Sequence, residues 1–137
     1  MEEFLGKEYV LVSSENFDDF LAFTGVSYLN RKIALNLKQI QCLTRDQNGI
    51  FIYSFKSKLM CFDTSFTPGE EFEEIKQDGV KVRSLITFEG NKMTHIQIET
   101  NGRTTKHVRE FFHDKLIIRT TIEGLDKTVT RHFQLVQ

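Results

Sequence analysis

The chain has 137 residues and a mass of 16.0 kDa, room for one domain with one core and too little for two. Hydrophobic residues make up 39%, too many for a disordered chain, and the aromatic set is lopsided, with 13 Phe, 3 Tyr and no Trp. The formal net charge is −1 with Lys and Arg scattered, so no basic tract exists to displace counterions from a nucleic acid, and no nucleic-acid partner is expected.

The acidic start, Met1-Glu2-Glu3-Phe4, lacks the apolar run of a signal peptide, and no apolar stretch reaches membrane-spanning length. Cys42 and Cys61 have no metal-ligand spacing and form no disulfide framework. A reduced, cytoplasmic protein without metal or cofactor is the resulting expectation. A first strand is expected around Tyr9 to Ser13. Asn16 can then cap a helix, with Asp19 at the third helical position to return a hydrogen bond. Phe17, Phe20, Leu21 and Thr24 follow at i, i+3, i+4 and i+7, one largely apolar face, and Gly25 provides a left-handed stop. Ser27 can cap a second helix, in which Leu29, Ile33 and Leu37 recur every four residues beside Arg31, Lys32 and Lys38. Helices this short cannot form a domain of their own, so they must lie over something.

From about residue 39 the pattern changes to strands. Turn signals recur at Gln47-Asn48-Gly49, Pro68-Gly69, Asp78-Gly79, Gly90-Asn91, Asn101-Gly102 and Glu123-Gly124. Runs rich in Ile, Val, Phe and Thr lie between them, and the only proline, Pro68, falls in a turn. About nine strands in an antiparallel meander are expected after the helices, closed as a sandwich or a barrel.

The last strand carries the strongest functional signal. Alternation puts Val129, Arg131, Phe133 and Leu135 on one face, apolar except for the guanidinium. An inward charge needs a partner, either a buried Asp or Glu or an anion from outside. Arg109 raises the same question on a strand where His107, Arg109 and Phe111 share one face and Val108, Glu110 and Phe112 the other. Periodicity does not decide which of those faces is inside. Two inward arginines with few carboxylates around them would favour an exogenous carboxylate, which fits the guanidinium fork. Catalysis would have to use His95, His107, His113 or His132. No nucleophile elbow, zinc-binding His-Glu-x-x-His or Cys-His pair accompanies them, so an enzyme is not expected.

The segment from Lys7 to Leu21, with its Asn16-Phe17-Asp18-Asp19-Phe20 core, resembles the signature of the intracellular lipid-binding proteins, specifically the fatty-acid-binding protein family. Asn30-Arg31-Lys32-Ile33-Ala34, Gly69 to Glu74, Val82-Arg83-Ser84, Val108-Arg109-Glu110 and Thr130-Arg131 continue the resemblance nearly end to end. It implies an all-β fold: a ten-stranded antiparallel barrel with a helix-turn-helix lid after the first strand, spanning residues 1 to 137 as one domain. It implies a non-enzymatic carrier that holds a long-chain fatty acid, or alternatively a retinoid or another carboxylated lipid. Family members of this kind receive the lipid carboxylate on an Arg, Arg and Tyr trio. Arg109 and Arg131 match the arginines, and Phe133 stands at the Tyr position without a hydroxyl. Phe17, Phe20, Val26, Leu29 and Leu59 fall where the family places tail contacts and the portal. Gln39 replaces a common proline after the second helix, and the turns near Asn101 and Asp126 run one residue longer than usual. A monomer is expected, with transient membrane contact through the basic second helix.

Overall fold

The computed structural model describes all 137 residues, Met1–Gln137. A 3-10 turn, Glu2–Phe4, leads into β1 (Glu8–Glu15), followed by α1 (Phe17–Phe23) and α2 (Tyr28–Asn36). Nine strands complete the chain: β2 (Ile40–Arg45), β3 (Phe51–Lys56), β4 (Cys61–Phe66), β5 (Phe72–Ile75), β6 (Lys81–Glu89), β7 (Lys92–Glu99), β8 (Thr104–Phe111), β9 (Lys115–Ile122) and β10 (Val129–Leu135).

All ten strands form one antiparallel sheet in the order β4-β3-β2-β1-β10-β9-β8-β7-β6-β5. Every neighbour except β10 beside β1 is also a neighbour in sequence, as expected of strands joined by short glycine turns. The sheet curls into a nearly closed barrel, with β4 and β5 as its two hydrogen-bonding ends. Side chains bridge that break. Phe66 of β4 packs on Phe51 of β3 with ring centroids 5.8 Å apart, and Phe88 of β6 meets both edge-on at 6.0 and 5.0 Å. Phe4 stacks on Phe111 at 5.8 Å and Tyr9 meets the same ring edge-on at 5.9 Å, filling the interior beside the 3-10 turn.

The two helices differ in part from the sequence pattern. Asn16 is not a side-chain cap: its backbone is left-handed at φ 63°, and its Nδ2 donates instead to the Thr128 carbonyl at 3.0 Å. Asparagine tolerates that conformation, so the residue ties α1 to the β9–β10 turn rather than to its own helix. Gly25 is left-handed at φ 89°, as expected, and Ser27 Oγ accepts from the Asn30 amide at 3.3 Å. The stripe Leu29, Ile33 and Leu37 does not face the barrel. Leu29 and Ile33 are exposed, while Arg31, Ala34 and Leu37 are half-buried. In this rotation the Arg31 guanidinium donates to Asp18 of α1 at 2.8 Å and to the Val26 carbonyl at 2.9 Å.

The lid is fastened at several points. Lys127 pairs with Asp19 at 3.0 Å, and Arg103 lies over the Phe23 ring at 5.6 Å. Gly124 shows why a glycine holds that turn: its φ is +94°, and a Cβ there would stand 3.0 Å from Phe23 Cζ.

Candidate functional site

Register decides which residues share the interior. Arg109 pairs with Ile118, and Ile118 pairs with Arg131, so the two arginines flank one isoleucine in a single row. Two strand spacings, about 9.6 Å, separate their backbones. Phe111 is fully buried and shares a face with Arg109 and His107, so that face of β8 is the inner one. A bulge at exposed Val12 shifts the β1 register, so that Leu11 meets Phe133 and Ser14 meets Arg131.

The two arginines have different surroundings. Arg109 lies over the Tyr53 ring, 4.3 Å from its centroid, and its Nη1 donates to His95 Nδ1 at 3.2 Å. Because a guanidinium only donates, His95 Nδ1 is the acceptor and its Nε2–H is free to donate to Glu74 Oε1 at 2.9 Å. Ser84 donates to the same oxygen at 2.7 Å and Gln97 Nε2 at 3.1 Å. The network runs on from Gln97 Oε1, 3.0 Å from His107 Nε2, to His107 Nδ1, 2.7 Å from the Thr120 hydroxyl. Burial, then the Arg109 charge, hold His107 well below its usual value, so it is neutral. It then donates from Nε2 to Gln97 and accepts from Thr120 at Nδ1.

Glu74 is the sink of this network. Burial alone would raise its carboxyl, yet the hydrogen bonds from His95, Ser84 and Gln97, with the charge that His95 gains once acid protonates it, bring it down to about 2. Burial lowers His95 more than its bond to Glu74 raises it, and Arg109 lowers it further. Glu74 therefore stays an anion and compensates Arg109 through a neutral imidazole.

Arg131 has no such partner. Its guanidinium is stacked against Phe17 of α1 at 4.2 Å and faces Phe133 at 5.5 Å. Its Nε and Nη2 are shut off from solvent without a hydrogen bond, as is Arg109 Nε. Burial brings Arg131 down from 12.5 to about 10, against some support from Tyr53 and with further depression from Arg109. The buried-acid alternative for an inward arginine thus holds, indirectly, for Arg109. Arg131 remains a free donor.

Phe133 is buried at the Tyr position, and no hydroxyl replaces it on β10. Tyr53 brings one to the Arg109 side. Its ring lies beneath Arg109, its hydroxyl donates to Gln41 Oε1, and burial pushes the phenol up to about 12 despite both arginines. Phe17 and Phe20 are half-buried and stacked at 6.5 Å, and Val26 is half-buried between the helices. Leu29 and Leu59 are each 69% exposed, so they stand on the outer rim and not on the inner wall. A cavity of about 430 Å³ lies between β1 and the lid, lined by residues that include Leu11, Phe17, Ala34 and Leu37. A larger depression of about 720 Å³ lies along β5–β7 and is rimmed by Glu71, Glu73, Lys81 and Arg83, away from both arginines. The arginine side is the chemically distinctive one.

Sequence reasoning singled out Arg109, Arg131 and Phe133, weighed His95 only as a catalytic histidine, and did not name Glu74, Gln97 or Tyr53. Alternation could have flagged Ser84, which interrupts the apolar face of Val82, Ile86 and Phe88, whereas His95 and Gln97 share a mostly polar face with Met93 and Glu99 and gave no such signal.

Residues 6–135 match the model of the lipocalin / cytosolic fatty-acid binding protein family. Fatty acid-binding protein 9 of Mus musculus is 35% identical over 130 residues, covering 93% of this chain and 95% of the mouse protein. A Drosophila melanogaster brain fatty acid-binding protein structure is 34% identical with a TM-score of 0.87, covering 96% of this chain and 98% of that one. The Schistosoma mansoni fatty acid binding protein in complex with arachidonic acid is 29% identical with a TM-score of 0.87, covering 100% of this chain and 98% of that one. With the barrel, the helical lid and the two inward arginines in place, the chain belongs to the lipocalin / cytosolic fatty-acid binding protein family.

Proposed function

We propose that this protein binds a long-chain fatty acid non-covalently inside the barrel and carries it through the cytoplasm as a monomer, without catalysis. The carrying observation is Arg131, a cation sealed from solvent at Nε and Nη2 with no protein acceptor. A fatty-acid carboxylate supplies both the charge and the acceptors that this guanidinium lacks. Arg109, already turned toward His95 and Tyr53, contributes a secondary contact through Nε. Phe17 and Phe133 pack against the head-group arginine, and Phe20 and Val26 meet the chain near the lid. Burying about ten methylenes contributes on the order of 8 kcal/mol before immobilisation costs. The lid helices open for entry, and the exposed Tyr28, Leu29 and Ile33 beside Lys32 offer α2 as the surface for transient contact with anionic membranes.

The test compares oleic acid with its methyl ester by calorimetric titration. The acid is expected to bind at least tenfold more tightly, because the ester keeps the tail and loses the charge. Equal affinities would remove the arginine-anchored head group.

A further inference from the structure

Gln39 carries a second requirement that a plain fatty acid cannot meet. The residue is 4% exposed, and its side-chain carbonyl Oε1 is sealed from solvent with no hydrogen-bond partner. Only the two lumen arginines share that condition. Register fixes where Gln39 points. Tyr9 pairs with Gln41 and Val10 with Ile40, and the Leu11 amide donates to the Gln39 carbonyl at 2.8 Å, so Leu11 lies opposite Gln39. Tyr9 and Leu11 both pack toward the core, and Gln41 turns inward to accept the Tyr53 hydroxyl. Gln39 follows the same alternation onto the inner wall. Leu11 in turn pairs with Phe133, two residues from Arg131, which puts Gln39 and Arg131 on one lumen about two to three strand spacings apart.

The chemistry of the two orphans is opposite. Arg131 needs an acceptor, which a carboxylate supplies. Gln39 Oε1 needs a donor, and an ionised carboxylate and a hydrocarbon chain have none. Tyr53 has already spent its single hydroxyl proton on Gln41. Turning the Gln39 amide over would present its NH2 instead, which asks for an oxygen. A hydroxyl serves either orientation, since it both donates and accepts. We propose that the lumen is built for a fatty acid that carries a hydroxyl on its chain, with Arg131 taking the carboxylate and Gln39 the hydroxyl. This rests on the carrier reading above and narrows its ligand class.

The sign of the effect separates this from a merely tolerant cavity. In an apolar lumen a chain hydroxyl loses its water and gains nothing, so hydroxylated acids bind more weakly than the parent. With Gln39 as partner the order reverses. Delipidated full-length protein is titrated with stearic acid and with hydroxystearic acids bearing the group near the head, the middle or the methyl end. At least one isomer is expected to bind roughly three- to tenfold tighter than stearic acid, the size of one neutral hydrogen bond. Gln39→Met keeps the volume and removes the polar atoms, and it should cancel that advantage while leaving stearic acid unchanged. If stearic acid binds and no isomer exceeds it, this inference falls and the carrier reading stands. An advantage that survives Gln39→Met also overturns it. If no acid binds at all, both readings fall.

Discussion

Arg131→Met should make the empty protein more stable and the carrier worse. The free protein bears the cost of a cation whose Nε and Nη2 have no acceptor. That cost appears in the fall from 12.5 to about 10 caused first by burial. At about 1.4 kcal/mol per tenfold, it amounts to roughly 3 kcal/mol. Stacking on Phe17 at 4.2 Å returns about 1–2 kcal/mol of it, which the methionine forfeits. The net gain on substitution is therefore about 1–2 kcal/mol. With a urea slope of about 1–3 kcal/mol per molar, the unfolding midpoint rises by about 0.3 to 2 M. Arg109→Met should do the reverse. Arg109 donates to His95 Nδ1, and its removal leaves that buried acceptor without a donor, a loss of about 1–3 kcal/mol. Paired urea unfolding of the two variants, with oleic acid and methyl oleate titrations beside it, reads both effects. Acid affinity should fall about tenfold to a hundredfold in Arg131→Met with the ester unaffected. If Arg131→Met destabilises the protein as much as Arg109→Met, Arg131 has a structural partner and is not the free anchor.

Three further outcomes follow from the same geometry. Glu74 has a folded pKa of about 2, below its ordinary 4.5, so its contribution is complete above 4.5 and disappears as pH falls toward 2; Glu74→Gln should flatten that part of an acid-unfolding curve followed by circular dichroism. Phe133→Tyr restores a phenol beside Arg131 and should raise fatty-acid affinity several-fold by calorimetry, with little change for the methyl ester. Deleting residues 16–36 and bridging the gap with Gly and Ser should leave a folded barrel that releases lipid faster in stopped flow; unchanged release would mean that the helices do not gate entry.

Much of the fold was legible because its signals are local. A glycine recurs at nearly every strand turn, and Gly25 and Ser27 act at the helix ends as their residue types dictate. The unread parts depended on distant partners. Asn16 has the side chain of a helix cap, but the Thr128 carbonyl, far away in sequence, claims it. The α2 stripe of Leu29 and Ile33 is exposed, while Arg31 of the same helix is half-buried and bonded to Asp18 of α1, a contact between helices that periodicity does not show. At the site, Arg131 stood out because its face is otherwise apolar. Tyr53 did not, since β3 is aromatic or aliphatic at Phe51, Ile52, Tyr53 and Phe55 on both faces. Glu74 was hidden for another reason: β5 has only four residues, too few to show a period, and its two central residues are both glutamate.

Those hidden residues change the electrostatic meaning of the two arginines. Counted alone, Arg109 and Arg131 give the lumen two positive charges, and a single carboxylate would leave one uncompensated. Glu74 removes that excess from within, held as an anion by His95, Ser84 and Gln97. Other charges at the margins are paired locally, as Arg103 is with Glu99 at 2.6 Å. The interior then carries one net positive charge, matched by one monocarboxylate. The partner that Glu74 compensates is also the arginine held by Tyr53 and His95, while the arginine left without an acceptor is the one capped by Phe17 of the lid. Head-group capture and lid packing therefore meet at Arg131. A carboxylate arriving there trades an unpaired buried cation for a paired one without disturbing the Glu74 network, so binding strengthens the site without unmaking any hydrogen bond of the folded wall.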